Sequence, residues 1–135
     1  MAKGRQIGEF KSDIEKVWSV VTDPNKSSWR TDIDTIEMAE DGKSYIETDI
    51  NGLKTYYTIK EKIPYERYYV DFKNTKAEGS LKAIFEEKSQ GCQVEFIQES
   101  ESKSSLGSLF GGLLINEDRV LLRMIYDIKK YLKEI

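Results

Sequence analysis

The feature that most constrains this chain is a change of hydrophobic period, from strand-like alternation between Thr31 and Ser100 to a helical stripe near the C-terminus. The alternating runs are Ile33 to Met38, Ser44 to Ile50, Leu53 to Ile63, Arg67 to Phe72, Ala77 to Glu87 and Cys92 to Ser100. Between them stand Asp41-Gly42, Asn51-Gly52, Pro64, Asn74-Thr75-Lys76 and Ser89-Gln90-Gly91. Asp-Gly and Asn-Gly accept the positive φ of tight hairpin turns, so the runs read as antiparallel neighbours. With a short strand at Gln6 to Phe10 they predict seven strands. The short connections favour an antiparallel meander over a parallel βαβ sheet. In the third run Leu53, Thr55, Tyr57, Ile59 and Glu61 share one phase, which period-two geometry assigns to a single face.

Helical patterning flanks the strands. Ser12 and Glu15 have capping-box spacing and open a helix in which Ile14, Val17, Trp18 and Val21 form the buried stripe. Asp23-Pro24 ends it, and Asp23 is placed to cap a second short helix running through Ser27 or Ser28. From about Leu106 to Ile135 the chain is again helical in character. Leu121, Met124, Ile125, Ile128, Leu132 and Ile135 recur on one stripe of a long amphipathic helix. Leu106 to Ile115 is apolar but interrupted by Gly107, Gly111 and Gly112, which leaves helix, kink and loop open for Gly107 to Ile115. Strands grouped between helices make the class α+β, and 135 residues suit one domain over 1–135.

Composition removes several functions. There is no histidine and Cys92 is the lone cysteine, so histidine-dependent zinc sites, Ser-His or Cys-His catalysis and an internal disulfide are excluded. No metal or cofactor is expected. A net charge of -3 with both signs interspersed lacks the electrostatic footprint of a nucleic-acid binder. Lys129, Lys130 and Lys133 cluster, but at the negative end of the final helix dipole. The first residues carry charge without a following apolar stretch, and no window approaches a membrane span, so a cytoplasmic location is expected.

Local motifs sharpen the fold assignment. Ile14-Glu15-Lys16-Val17-Trp18 followed by Val20-Val21-Thr22-Asp23-Pro24, then Ser28-Trp29-Arg30, and Ile63-Pro64-Tyr65-Glu66-Arg67-Tyr68, resemble segments of the START-like (SRPBCC) superfamily, in its polyketide cyclase/dehydrase-like group. The resemblance implies a helix-grip fold: a curved sheet wrapped around a long C-terminal helix, with two short helices after the first strand. It also implies an elongated apolar cavity between sheet and helix. Members of the superfamily bind or modify lipids, sterols and polyketides, and some assist larger protein assemblies.

The expected cavity lining is Tyr57, Ile59, Tyr68, Val70, Phe72, Leu81, Ala83, Phe85, Val94 and Phe96 from the sheet, with Leu113, Leu121, Met124 and Ile128 from the helix. Each of these equally suits an ordinary core, which any sheet facing a helix requires. Trp29 is a candidate mouth residue. Glu61 and Arg67, with Glu47 and Asp49, are the polar groups that reach a cavity if their strand phases point inward. Three functions follow. A non-catalytic binder or carrier of a hydrophobic small molecule leads, because no catalytic set is recognisable. A metal-independent, cyclase- or dehydratase-like enzyme requires a polar pair inside the cavity. A helper docking on a partner protein, or on a second copy as a weak homodimer, would expose an apolar patch around Leu109 to Leu114.

Overall fold

The computed structural model describes residues 2–25, 29–103 and 116–135. Its strands are β1 (Ala2–Phe10), β2 (Ile33–Met38), β3 (Ser44–Asp49), β4 (Lys54–Ile63), β5 (Arg67–Lys73), β6 (Ala77–Glu87) and β7 (Cys92–Ser102). They form one antiparallel sheet in the order β1-β7-β6-β5-β4-β3-β2. Helix α1 (Ile14–Thr22) follows β1, and α2 (Glu117–Tyr131) ends the fold. The second short helix expected through Ser27 or Ser28 lies outside the described residues, as does Leu106 to Ile115 except for its position in the sequence.

Strands β2 to β7 pair with their sequence neighbours, as the turn dipeptides require. Gly42, Gly52 and Gly91 take φ values of 70°, 87° and 79° at three of the five hairpin turns. The non-local pairing is β1 with β7, from Ala2↔Ser100 to Phe10↔Cys92, and it extends β1 four residues before the expected start at Gln6. Lys3 and Arg5 hide that extension in the sequence, because only the pairing partner makes the segment a strand. Gly4 serves a close approach: a Cβ there would lie 2.7 Å from the Asp118 backbone nitrogen, so β1 can pass directly under the first turn of α2. The Arg5 backbone N–H donates to Asp118 Oδ1 at 2.9 Å across this contact.

Both helix boundaries differ from the sequence expectation for identifiable reasons. Asp13, not Ser12, caps α1, accepting from the Lys16 N–H at 2.9 Å. Ser12 instead donates its hydroxyl to Glu134 at 2.9 Å, and Glu134 also accepts the Lys11 and Ser12 backbone N–H groups. Burial opposes ionisation of Glu134, but these donors outweigh it and hold the carboxyl below its ordinary range. Helix α2 begins at an Asn116 cap and stops at Tyr131, with Lys133 turning to φ 60°. Ile135 therefore falls beyond the helix and is 65% exposed, not part of the stripe. Lys129 and Lys130 do occupy the last turn, where cations offset the helix dipole.

The core lies between the inner face of the sheet and the two helices. Phe85, Val94, Phe96, Val70 and Ala83 pack with Leu121, Ile125 and Ile128 of α2 and with Val17 and Trp18 of α1. The Trp18 ring meets Phe85 edge-on with centroids 4.9 Å apart. Among the described residues, no helix is long and apolar enough to cross a membrane.

Cys92 is a small buried hydrophobe of β7, being 2% exposed. Burial, then the nearby Glu134, Asp13 and Glu87 carboxylates, push its thiol up to about 11. Its alkylation by iodoacetamide near pH 8 should thus run at least about a hundred-fold slower in the native protein than in the urea-unfolded chain. Equal rates under the two conditions would show that Cys92 is not held as described.

Candidate functional site

The inner face of the sheet changes character from one side to the other. Toward β6 and β7 it is a packed apolar layer; toward β2, β3 and β4 it carries Ile36, Tyr45, Glu47 and Tyr57. Register sets this, since Ile36 faces Glu47 and Tyr45 faces Tyr57 across the ladders. Over these residues lie the C-terminal end of α1, with Val20 to Pro24, then Trp29 and Arg30, and Met124 of α2. Together with Tyr68 and Leu81 they enclose a cavity of about 50 Å³. That space accommodates a few water molecules, and it is well below the roughly 300 Å³ at which drug-sized pockets begin.

A buried ionic and phenolic cluster forms the polar end of the cavity. Arg30 Nε and Nη2 donate to the two carboxylate oxygens of Asp32, each at 3.1 Å, while Nη1 donates to Glu47 Oε2 at 3.1 Å. The Arg30 guanidinium also lies 5.4 Å from the Trp29 ring centroid. Tyr57 stands beside the Glu47 carboxylate, and its ring stacks on Tyr45 at 4.8 Å with 7° between planes. Tyr45 and Tyr68 line the same cavity. Nearby, Asp127 of α2 accepts from the Thr31 hydroxyl at 3.0 Å, tying the segment after Arg30 to the helix.

The charges respond to this setting. Burial lowers Arg30, but Glu47 and Asp32 more than compensate and hold it above its ordinary value. For Glu47 burial is the larger effect, so its carboxyl is raised despite Arg30. Asp32 is lowered, because the bonds and charge of Arg30 outweigh its desolvation. Burial, with the Glu47 charge added, raises Tyr57 well above its ordinary value, and burial does the same for Tyr45. Both phenols therefore stay neutral across physiological pH and act as hydrogen-bonding groups.

Of the residues expected to line a cavity, Trp29, Tyr57, Tyr68, Leu81 and Met124 do so. Val70, Ala83, Phe85, Val94, Phe96, Leu121 and Ile128 are instead buried in the packed core, and Ile59 packs against it. The elongated apolar slot implied by the resemblance is filled along this stretch by those side chains. Phe72 is half-buried beside Tyr57, with ring centroids 5.9 Å apart. Leu113 lies outside the described residues.

Glu61 and Arg67 require a correction. A bulge after Ile59 leaves Ile59 opposite Val70 but Glu61 opposite Tyr69, so the phase of β4 inverts. Glu61 shares the outer face with Tyr69 and Arg67, where Glu61 and Arg67 form a partly solvated ion pair at 2.9 Å. Such a pair contributes at most about 1 kcal/mol and borders no cavity of the inner face. Asp49 accepts the Asn51 and Leu53 N–H groups at the β3–β4 turn and acts as a turn-forming residue. Glu47 does face inward. Sequence reasoning missed Tyr45 and Arg30 as cavity groups, and Asp32 as the partner of Arg30; the alternation Tyr45, Glu47 after the Asp41-Gly42 turn was the available signal for the first.

A curved antiparallel sheet gripping a C-terminal helix, with a cavity beside the first helix, defines a START-like domain. The chain belongs to the family described as Activator of Hsp90 ATPase homolog 1-like protein, whose model matches residues 11–108. A START superfamily protein from Mycobacterium smegmatis superposes with a TM-score of 0.77 at 10% identity, covering 99% of both chains. A protein from Geobacillus kaustophilus gives 0.77 at 15% identity, with 98% of this chain and 95% of that one covered. DynU16, from the dynemicin biosynthetic locus, gives 0.74 at 13% identity; 98% of this chain is covered, but it spans only 48% of DynU16. These superpositions establish the shared fold alone. A search of curated proteins finds no match.

Proposed function

We propose that this protein binds a small, largely apolar molecule whose one polar group docks on the Arg30, Glu47 and Tyr57 cluster. The observation that carries this reading is the polarity of the cavity: Val20, Val21, Ile36, Leu81 and Met124 provide apolar wall, and hydrogen-bonding side chains converge at one end. Few polar groups placed in an apolar concavity are the usual composition of a small-molecule site. A ligand larger than the present 50 Å³ has to displace a wall side chain, and Trp29 and Met124 are wall residues supplied from outside the sheet.

The test is titration of small alkylphenols and short lipids, followed by tryptophan fluorescence and chemical-shift perturbation. Saturable binding at one site is expected. Leu81→Trp, which places an indole in the cavity wall, should abolish it while leaving the circular dichroism spectrum and a cooperative melt. Ala83→Trp is the contrasting control: Ala83 is 1% exposed inside the packed core, so overpacking should cost about 1–3 kcal/mol or more. Binding that survives Leu81→Trp would place the ligand elsewhere.

A second reading is a helper that docks on another protein, as the family description suggests for its namesake. Leu122 and Tyr126, one helical turn apart on the outer side of α2, are 52% and 53% exposed and suit it. The apolar stretch Leu109 to Leu114 lies outside the described residues. A chain that binds no member of the panel but stimulates a purified Hsp90 ATPase takes this second role.

A further inference from the structure

We infer that the cavity selects its ligand by charge, accepting an uncharged molecule that carries a hydroxyl group and rejecting carboxylates such as fatty acids. This rests on the binding role proposed above and specifies the ligand class for the same site.

The inference comes from the valence of Arg30. A lone guanidinium at the end of an apolar cavity ordinarily reads as an anchor for a carboxylate, through its bidentate fork. Here the fork is already occupied. Nε and Nη2 each give one N–H to Asp32 and Nη1 gives one to Glu47, so three of its five N–H groups are committed, including the side-on pair that would grip a carboxylate. Among the described residues of the wall, Arg30 is the sole cation, while Asp23 and Glu47 are acidic and Asp32 stands directly behind Arg30. The nearest other guanidinium, that of Arg123, donates to the Thr31 hydroxyl, beside the Asp127 carboxylate that accepts from the same group. An entering carboxylate would thus be desolvated against an acidic surplus, with the side-on fork of Arg30 already closed on Asp32.

Protonation does not rescue a carboxylate ligand. Burial raises Glu47, yet with Glu47 neutral the guanidinium remains matched by the bidentate Asp32. A ligand hydroxyl meets the opposite situation. It can donate to the Glu47 carboxylate and accept from a phenol, because Tyr45, Tyr57 and Tyr68 all line the cavity and carry the groups that do both. An ammonium would satisfy the acidic surplus but would have to lose its hydration beside Arg30.

Three probes built on the same ethylphenyl group separate these cases: 4-ethylphenol, 4-ethylbenzoate and 4-ethylbenzylamine, titrated near neutral pH. The phenol should bind at least about ten-fold more tightly than either ion, because the benzoate meets like charges and the ammonium has to give up its hydration beside Arg30. Glu47→Gln, or Asp32→Asn at the more solvated position should the first not fold, releases part of Arg30 and should raise benzoate affinity relative to the phenol by about ten-fold. Benzoate binding as tightly as the phenol, a preference for the amine, or a ratio unchanged in a folded variant would each overturn the charge selection while leaving a binding site. Absence of binding by every probe would overturn the binding role itself, and the selectivity with it.

Discussion

Replacing Arg30 with methionine should destabilise the protein by about 3 kcal/mol at neutral pH, because it leaves Glu47 as a buried carboxylate without its cation. The side chains of Arg30 and Glu47 are 19% and 8% exposed, so water cannot take over the missing contact. Asp32 is 44% exposed and recovers solvation more easily, which places the expected loss at the lower end for a broken buried pair. The deficit should shrink in acid, and both carboxylates give the same sign. Glu47 is raised in the folded protein, and further raised without Arg30, so its penalty is absent below the unfolded carboxylate range and grows as pH rises through the folded value. Asp32 is lowered by Arg30, so the stability it gives the wild type is present above the unfolded value and lost as pH falls through the folded one. Urea denaturation of both proteins at about pH 5 and about pH 7.5 measures this. Adding Glu47→Gln to the variant should restore part of the loss. Equal deficits at the two pH values, with no gain from the double change, would mean that the cluster is solvated in the native state.

Ile128→Asp should have the larger effect, exceeding about 5 kcal/mol and removing the cooperative melt of a domain whose total stability is expected near 5–15 kcal/mol. Ile128 is fully buried on α2 against the sheet. The change forfeits the burial of an isoleucine, about 1.5–3 kcal/mol, and adds a carboxylate with no cation to receive it. Tyr126→Asp is the control on the same helix. Tyr126 is 53% exposed, and its replacement should stay within about 0.5 kcal/mol. Circular dichroism melts of the two variants compare the faces directly. Similar behaviour of both would show that α2 does not dock through Ile128.

How much of this was legible in the sequence depended on how local the cause was. The β2–β3 and β3–β4 hairpins were readable because Gly42 and Gly52 mark turns that need positive φ. The α2 stripe was readable because Leu121, Ile125 and Ile128 repeat at the period of a single helix. Ile135 broke the pattern because helical spacing continues in a sequence after the backbone has turned away, as it does at Lys133. The capping-box spacing pointed to Ser12, but Glu134, over a hundred residues away, took the Ser12 hydroxyl and the cap fell to Asp13.

The sequence by itself therefore determined the strands, their antiparallel order from β2 to β7 and the apolar faces of both helices, since each follows from the torsional preferences and spacing of residues close along the chain. Tertiary structure decided which inward positions became core and which became cavity. Ala83 and Leu81 share one phase of β6, yet Ala83 lies under packed rings and Leu81 at the wall of an open space, because α1, Trp29 and α2 cover the sheet unevenly. It also decided the polar groups of the site. One bulge after Ile59 turned Glu61 to the outer face, whereas Arg30, two residues from Asp32 in the chain, met Glu47 only through the packing of the segment before β2 against β3. Period-two alternation cannot register an extra residue whose place is set by the partner strand, nor can local spacing bring together charges whose separation in space is fixed by packing.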